Sequence, residues 1–174
     1  INLTLKETRR LTKMIKELMN LARADNNDYK LNKEKINIDK LINEVTVPYI
    51  DFAKIQEKNI VLDLKYGKEI KIDKNKIIEL IIILLDNAIK YTKEKDTITI
   101  KTYSKDGKCN IEVQDTGTGI SDEGLKRIFD RFYREDKVRS RETGGTGLGL
   151  SIAHTIVTNH KGTIKAMHNE PKGS

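Results

Sequence analysis

The sequence predicts an α+β fold, a two-layer sandwich with one layer of helices and one of antiparallel strands, preceded by a long N-terminal helix. Three observations predict it. Asp73 to Thr92 is apolar almost all the way round, with Ile77, Ile81, Leu84 and Ala88 on one stripe and Ile78, Ile82, Leu85 and Ile89 on the next, as a buried helix requires. Thr97–Tyr103 and Asn110–Gln114 alternate apolar and polar residues on either side of Lys105-Asp106-Gly107-Lys108, the pattern of a β-hairpin with a loop longer than the tightest class. Helical and strand-like patterns come in partly separate runs, which implies one layer of each.

Composition narrows the class. A chain of 174 residues suits one ordinary domain with a short appendage, and its 37% hydrophobic content suffices for a core because the apolar residues cluster. The single cysteine, Cys109, excludes an internal disulfide and suits a reducing compartment. No segment approaches the roughly 20 apolar residues of a membrane span, and no signal peptide opens the chain. The net charge of +7 admits an anionic partner, but lysines interleaved with acids and the lack of tryptophan point to a solvated surface rather than to nucleic acid.

In order, residues 1–25 are predicted as an amphipathic helix with Leu11, Met14, Leu18 and Leu21 at heptad-like spacing, widened by Ile15 and Ala22. One helix cannot bury that face alone; a partner helix, from this chain or another copy, competes with packing on its own domain. Residues 26–37 are polar and without period, and are assigned to a linker. A second amphipathic helix starts at Asp39, and Pro48 predicts a kink or break in it. Asn59–Tyr66 alternates as a half-buried strand, and Ile70–Ile72 suggests another. Asp73 is placed to cap the central helix. Later come a short helix within 121–132, an aperiodic charged stretch over 134–144, a helix over Leu148–Asn159 and a strand over Thr163–His168.

On the central helix, Asn87, Lys90 and Tyr91 stand at i, i+3 and i+4 and share one face. Such a polar set is costly on a buried helix unless something polar faces it. Six of the eleven glycines fall in two clusters, Asp115-Thr116-Gly117-Thr118-Gly119-Ile120 after the second hairpin strand and Gly144-Gly145-Thr146-Gly147-Leu148-Gly149-Leu150 before a helix. Either alone could be a turn. Glycine before a helix N-terminus leaves N–H groups aimed at an anion, which suits phosphate. The chain has no Gly-Lys-Ser/Thr P-loop, the clusters fall outside a βαβ unit, and the catalytic-loop signature of Ser/Thr/Tyr kinases is missing.

These residues resemble the sensor histidine kinases of two-component systems. Leu85 to Thr92 (LDNAIKYT) looks like their N box, Asp115 to Ile120 their G1 box, Phe129 to Arg134 (FDRFYR) their F box and Gly145 to Leu150 their G2 box, in the family's order. Residues 38–174 are thereby similar to the catalytic ATP-binding domain, of the histidine kinase/gyrase type, and residues 1–25 to the second helix of the dimerisation and phosphotransfer hairpin. The resemblance implies that Asp115 accepts from the adenine amino group and that Asn87 holds Mg²⁺. It implies that Lys90 and Arg134 meet phosphate and that Tyr91 and Tyr133 flank the nucleotide. Gly145, Gly147 and Gly149 would let the backbone wrap the phosphates, and Gly117, Gly119, Ile120, Thr146, Leu148 and Leu150 would also belong to the nucleotide-binding set. Residues 134–144 would form the lid that closes over ATP, and Asn87, Lys90 and Arg134 would serve phosphoryl transfer, which asks mainly for positioning and charge neutralisation.

The chain departs from the family pattern in three places. Its histidines, His154, His160 and His168, all follow the G2 box, so the phosphoacceptor is expected before residue 1. A final strand is expected after Ser174. Ile83 stands four residues before Asn87, where these kinases usually carry Asn and gyrase-like ATPases a water-activating Glu. The function implied is transfer of the γ-phosphoryl of Mg-ATP to a histidine outside this chain, for onward transfer to a response regulator. The implied setting is the cytoplasmic portion of a membrane-anchored sensor kinase that dimerises through the N-terminal helix. The competing functions are a catalytically silent nucleotide-binding or scaffold domain and a gyrase-like ATPase.

Overall fold

A computed structural model describes Thr8, Leu11, Thr12, Met14, Ile15, Leu18, Met19 and residues 30–135, 146–169 and 173–174. The described residues before residue 20 are helical, with Leu11, Ile15, Leu18 and Met19 exposed. Leu21 and Ala22 of the expected heptad face, residues 26–29 of the expected linker, residues 136–144 of the expected lid and Gly145 lie outside the described residues. Contacts divide the chain into two units: Leu31–Ile120 with Ala166–Ser174, and Ser121–Lys165 with Ile1–Lys30.

The first unit contains β1 (Lys33–Asn37), α1 (Ile38–Ile55), β2 (Asn59–Leu64), β3 (Glu69–Asp73), α2 (Lys74–Tyr91), β4 (Thr97–Lys105) and β5 (Lys108–Asp115). A three-stranded sheet runs β2-β4-β5, and β1 pairs antiparallel with β3 in a separate ribbon. Both long helices start on side-chain caps: Asn37 accepts from the Lys40 amide at 3.0 Å and Asp73, as expected, from the Lys76 amide at 3.1 Å. α1 and α2 pack on each other, with α1 on β2 and α2 on β5.

Burial explains the layering. Ile77, Leu80, Ile81, Leu85, Ala88 and Ile89 of α2 are buried, as are Ile38, Leu41, Ile42 and Ala53 of α1 and Ile98 and Ile100 of β4. Each isoleucine or leucine among them contributes about 1.5–3 kcal/mol when fully buried. The outer residues Ile78, Ile82, Ile83 and Leu84 are only half-buried, so α2 is embedded on one side rather than all round. The Thr102 hydroxyl donates to Asp39 Oδ1 at 2.6 Å, tying the start of α1 to β4.

Several expectations are corrected here. Residues 33–37, assigned to the linker, form β1; its polar sequence carries no period because the two-stranded ribbon leaves Glu34 and Lys35 exposed. β2 lies parallel, not antiparallel, to β4, and the chain between them passes through β3 and α2, as a parallel pair demands. The hairpin loop is the tightest class: Lys105 pairs with Lys108, leaving Asp106 and Gly107, with φ of 51° and 73°, as a type I′ turn. α1 continues through Pro48 without a break. Residues 163–168, expected as a strand, are irregular.

The second unit contains α3 (Asp122–Arg127), capped by the Ser121 hydroxyl accepting from the Gly124 amide at 2.9 Å, and α4 (Gly149–Asn159), with Ile152, Ala153 and Ile156 buried. No helix among the described residues is long and apolar enough to cross a membrane.

Candidate functional site

In the first unit the predicted residues gather around the end of β5. Asp115 is 7% exposed, and its carboxylate is held by neutral donors. The Gly117 amide donates to Oδ1 at 2.8 Å and the Ser174 hydroxyl to Oδ2 at 2.8 Å. The Asp115 amide donates to Ser174 O at 2.7 Å, and Asn169 Nδ2 donates to Asp115 O at 2.8 Å. A buried carboxylate so fixed keeps lone pairs in set directions and can accept from one more donor.

Sequence reasoning missed Ser174 and Asn169. A serine and an asparagine in a polar tail carry no pattern that separates them from solvated residues; only the folded chain brings them 59 and 54 positions back to Asp115.

The loop after Asp115 is locked onto the end of α2. The Thr118 amide donates to Tyr91 O at 3.2 Å. A Cβ on Gly117 would overlap Tyr91 O and lie 2.9 Å from Asp115 Oδ1, so only glycine lets the loop approach this closely. Gly119 and Ile120, half-buried, continue the loop. On α2, Asn87 and Lys90 are half-buried and Tyr91 is exposed, with the Lys90 ammonium 5.0 Å from the Tyr91 ring centroid. The Tyr49 hydroxyl donates to Asp86 Oδ1 at 3.0 Å, beside Asn87. Burial, together with the Asp86 charge and this hydrogen bond, pushes Tyr49 up to about 12. Among the described residues no cluster of three or more His, Cys, Asp or Glu side chains could hold a metal by itself.

In the second unit the F-box and G2-box segments interlock. The Phe132 amide donates to Gly147 O at 2.9 Å. Gly147 has φ +75°, and a Cβ there would lie 3.0 Å from the Phe132 backbone and 3.1 Å from Tyr133 O. Phe132 itself has φ 62°, a conformation costly for an aromatic residue. Tyr133 is half-buried with the Arg127 guanidinium 4.7 Å from its ring centroid, and Arg134 is half-buried beside it in sequence. The Leu148 side chain is fully buried, and its amide donates to Thr146 Oγ1 at 3.3 Å. Gly149 and Leu150 begin α4, whose N-terminus has no side-chain cap and no acidic residue in its first turn. Such a terminus presents amides suited to an anion.

A helix layer on a mixed sheet, with a buried acceptor carboxylate at the end of the last strand and a glycine-containing loop directly after it, defines a nucleotide-binding ATPase domain. The chain belongs to the histidine kinase-, DNA gyrase B- and HSP90-like ATPase family, whose description matches residues 72–174. Within it the chain is of the sensor histidine kinase type. It is similar to Sensor protein SrrB of Staphylococcus aureus, 34% identical over 172 residues that cover 99% of this chain and 30% of that protein. This chain thus spans about a third or less of the curated relatives it matches. Among solved structures it resembles the histidine kinase AdeS of Acinetobacter baumannii, with TM-score 0.79, 25% identity and coverage of 97% of this chain and 77% of that one. It also resembles the catalytic domain of histidine kinase ThkA, with TM-score 0.72, 26% identity and coverage of 82% of this chain and 93% of that one. The expected α+β fold of the histidine kinase catalytic domain is thereby borne out.

Proposed function

We propose that this chain binds Mg-ATP and transfers its γ-phosphoryl group to a histidine supplied outside it, for onward transfer to a response regulator. The observation that carries this reading is the Asp115 carboxylate, buried, held by neutral donors and locked through Gly117 and Thr118 to the helix end that bears Asn87, Lys90 and Tyr91. A carboxylate in that state selects a donor such as the adenine amino group.

Asn87 would supply one amide oxygen to Mg²⁺, a hard cation that keeps waters and shares phosphate oxygens, and so needs no protein-only cage. The metal would neutralise charge building on the phosphates. Lys90 and Arg134 would add positive charge, Tyr91 and Tyr133 would flank the nucleotide, and the uncapped N-terminus of α4, with Thr146, Gly147 and Leu148 before it, would take phosphate on backbone amides. Gly145 would extend that segment. In the transfer the bond between the γ-phosphorus and the bridging oxygen breaks, a bond from an imidazole nitrogen to phosphorus forms, the imidazole N–H proton leaves to solvent, and ADP departs. The membrane-anchored setting, with the domain on the cytoplasmic side, and dimerisation through the N-terminal helix belong to the same proposal.

The test is incubation with γ-labelled ATP, with and without a separately supplied acceptor hairpin. Acid-labile, base-stable label is expected on the hairpin and none on this chain. Label on neither, with ADP still bound, would leave the silent scaffold; label on this chain's own histidines would overturn the assignment of the acceptor.

A further inference from the structure

We infer that Lys58, which lies outside every motif described above, is a positioning residue for the nucleotide site, its ammonium tying the last turn of α2 to the segment between α1 and β2, whose backbone is bonded to the Asp96 segment beside the Asp115 loop. This rests on the nucleotide reading just given. Lys58 sits between α1 and β2, is 9% exposed, and donates from Nζ to Ile89 O at 2.8 Å and to Gln56 Oε1 at 2.9 Å. A buried ammonium is costly unless its protons find acceptors. Burial pushes its pKa down, and the nearby charge of Asp96 works the other way.

The acceptor it has found is informative. The last carbonyls of a helix lack intrahelical partners and carry the negative end of the helix dipole. In α2, Thr92 covers Ala88 O with its amide and hydroxyl, at 3.2 and 2.8 Å, the Thr118 amide covers Tyr91 O, and Lys58, with the Thr92 hydroxyl at a longer 3.2 Å, covers Ile89 O. Ile89 lies between Asn87 and Tyr91. A cation donating there fixes the turn from which Asn87, Lys90 and Tyr91 project.

A second route runs through the backbone beside Lys58, where the Asn59 amide donates to Asp96 O at 2.9 Å. Asp96 Oδ2 accepts from the Lys93 amide at 2.7 Å, and Oδ1 accepts from the Thr116 hydroxyl at 3.2 Å. Thr116, next to Asp115 in sequence, is bound again to β4, its amide donating to Thr97 O at 3.1 Å and its Oγ1 accepting from the Thr97 amide at 3.0 Å. The flanking turns are strained: Glu57 and Lys95, neither a glycine, have φ of 54° and 68°, and the Lys95 amide donates to Glu57 O at 2.7 Å. Strain of this kind persists where the surroundings over-determine it. Lys58 thus meets the site directly through Ile89 on α2, and its chain neighbours Glu57 and Asn59 meet it through Lys95 and Asp96, whose carboxylate holds Thr116 beside Asp115.

The test compares the unaltered chain, Lys58→Met and, as a control for lost stability, Leu41→Ala in the α1 core. Mg-ADP affinity is read by calorimetry well below each melting temperature, and amide hydrogen exchange is followed at Gly117 and Thr118. Lys58→Met is expected to weaken Mg-ADP binding about tenfold and to speed exchange at both amides, while Leu41→Ala lowers the melting temperature without either effect. Unchanged affinity and unchanged exchange in Lys58→Met would overturn the proposal. If the unaltered chain fails to bind Mg-ADP, the nucleotide reading falls, and exchange alone decides whether Lys58 orders the Asp115 loop. Should Lys58→Met fail to fold, Lys58→Gln read in the same way decides.

Discussion

The Ser174 hydroxyl donates to Oδ2 of Asp115 at 2.8 Å, on a carboxylate whose other oxygen accepts from the Gly117 amide. Both oxygens being engaged, the group cannot turn, and its remaining lone pairs point where the loop sets them. A carboxamide cannot reproduce this, since its NH₂ would face either an amide or a hydroxyl that now donates. Asp115→Asn is therefore expected to weaken ATP affinity tenfold and upward, from the loss of ~1.5–3 kcal/mol for a hydrogen bond to a charged group. Calorimetry on both proteins checks it, and equal affinities would remove Asp115 from the adenine site.

Gly117→Ala tests the close approach of the same loop to α2. The added methyl would overlap Tyr91 O, a backbone atom that cannot swing aside as a side chain can. Overpacking of this kind costs about 1–3 kcal/mol. The variant is expected to melt lower and bind ADP more weakly; an unchanged melting temperature would show that loop and helix are not in contact in solution.

Tyr49 predicts an alkaline weakness. Its pKa in the folded chain, about 12, lies above the ordinary 10, so the folded state holds the proton more tightly than the unfolded state. The resulting stability is complete below pH ~10 and is lost as pH rises towards ~12. With the hydroxyl partly exposed, solvent screening limits it to about 2 kcal/mol or less. Urea unfolding at pH 9 and 11.5 should show a steeper loss in the unaltered chain than in Tyr49→Phe. Parallel losses would mean that the Asp86 contact does not persist.

Ile83 predicts slow hydrolysis. It stands one turn before Asn87 on α2, half-buried, and offers no lone pair to a water. Turnover of ATP by the chain should fall well below ~1 s⁻¹, with Ile83→Glu as the probe for a gained base. Hydrolysis at ordinary enzyme rates by the unaltered chain would favour the gyrase-like ATPase over the kinase module.

What the sequence made legible was what local chemistry dictates. The α2 helix, its Asp73 cap and the alternation in β4 follow from helix and strand chemistry, and the structure has each of them, although only one side of α2 is buried. Asp115 and Gly117 of one motif and Tyr91 of another do meet, because the glycine that marks the first motif is the one that permits the contact. What stayed hidden depends on distant partners. β1 has no period because it buries little; Ser174 and Asn169 acquire meaning only on reaching Asp115. The parallel pairing of β2 with β4 is a choice of topology, which alternation along one strand cannot express.

That pairing sets an order of assembly. β4 and β5, joined by Asp106 and Gly107, can close on each other within microseconds, whereas β2 must wait until β3 and α2 have been formed and carried across. On the ribosome β2 emerges well before its partner strand and waits there for seconds. Meanwhile its edge could accept a strand from another nascent chain. Asp63 within β2 and Lys65 just after it, 2.8 Å apart in the finished fold, place charges on this strand; such an exposed pair adds little to the stability of the mature fold, whereas charges on an edge strand oppose such mispairing.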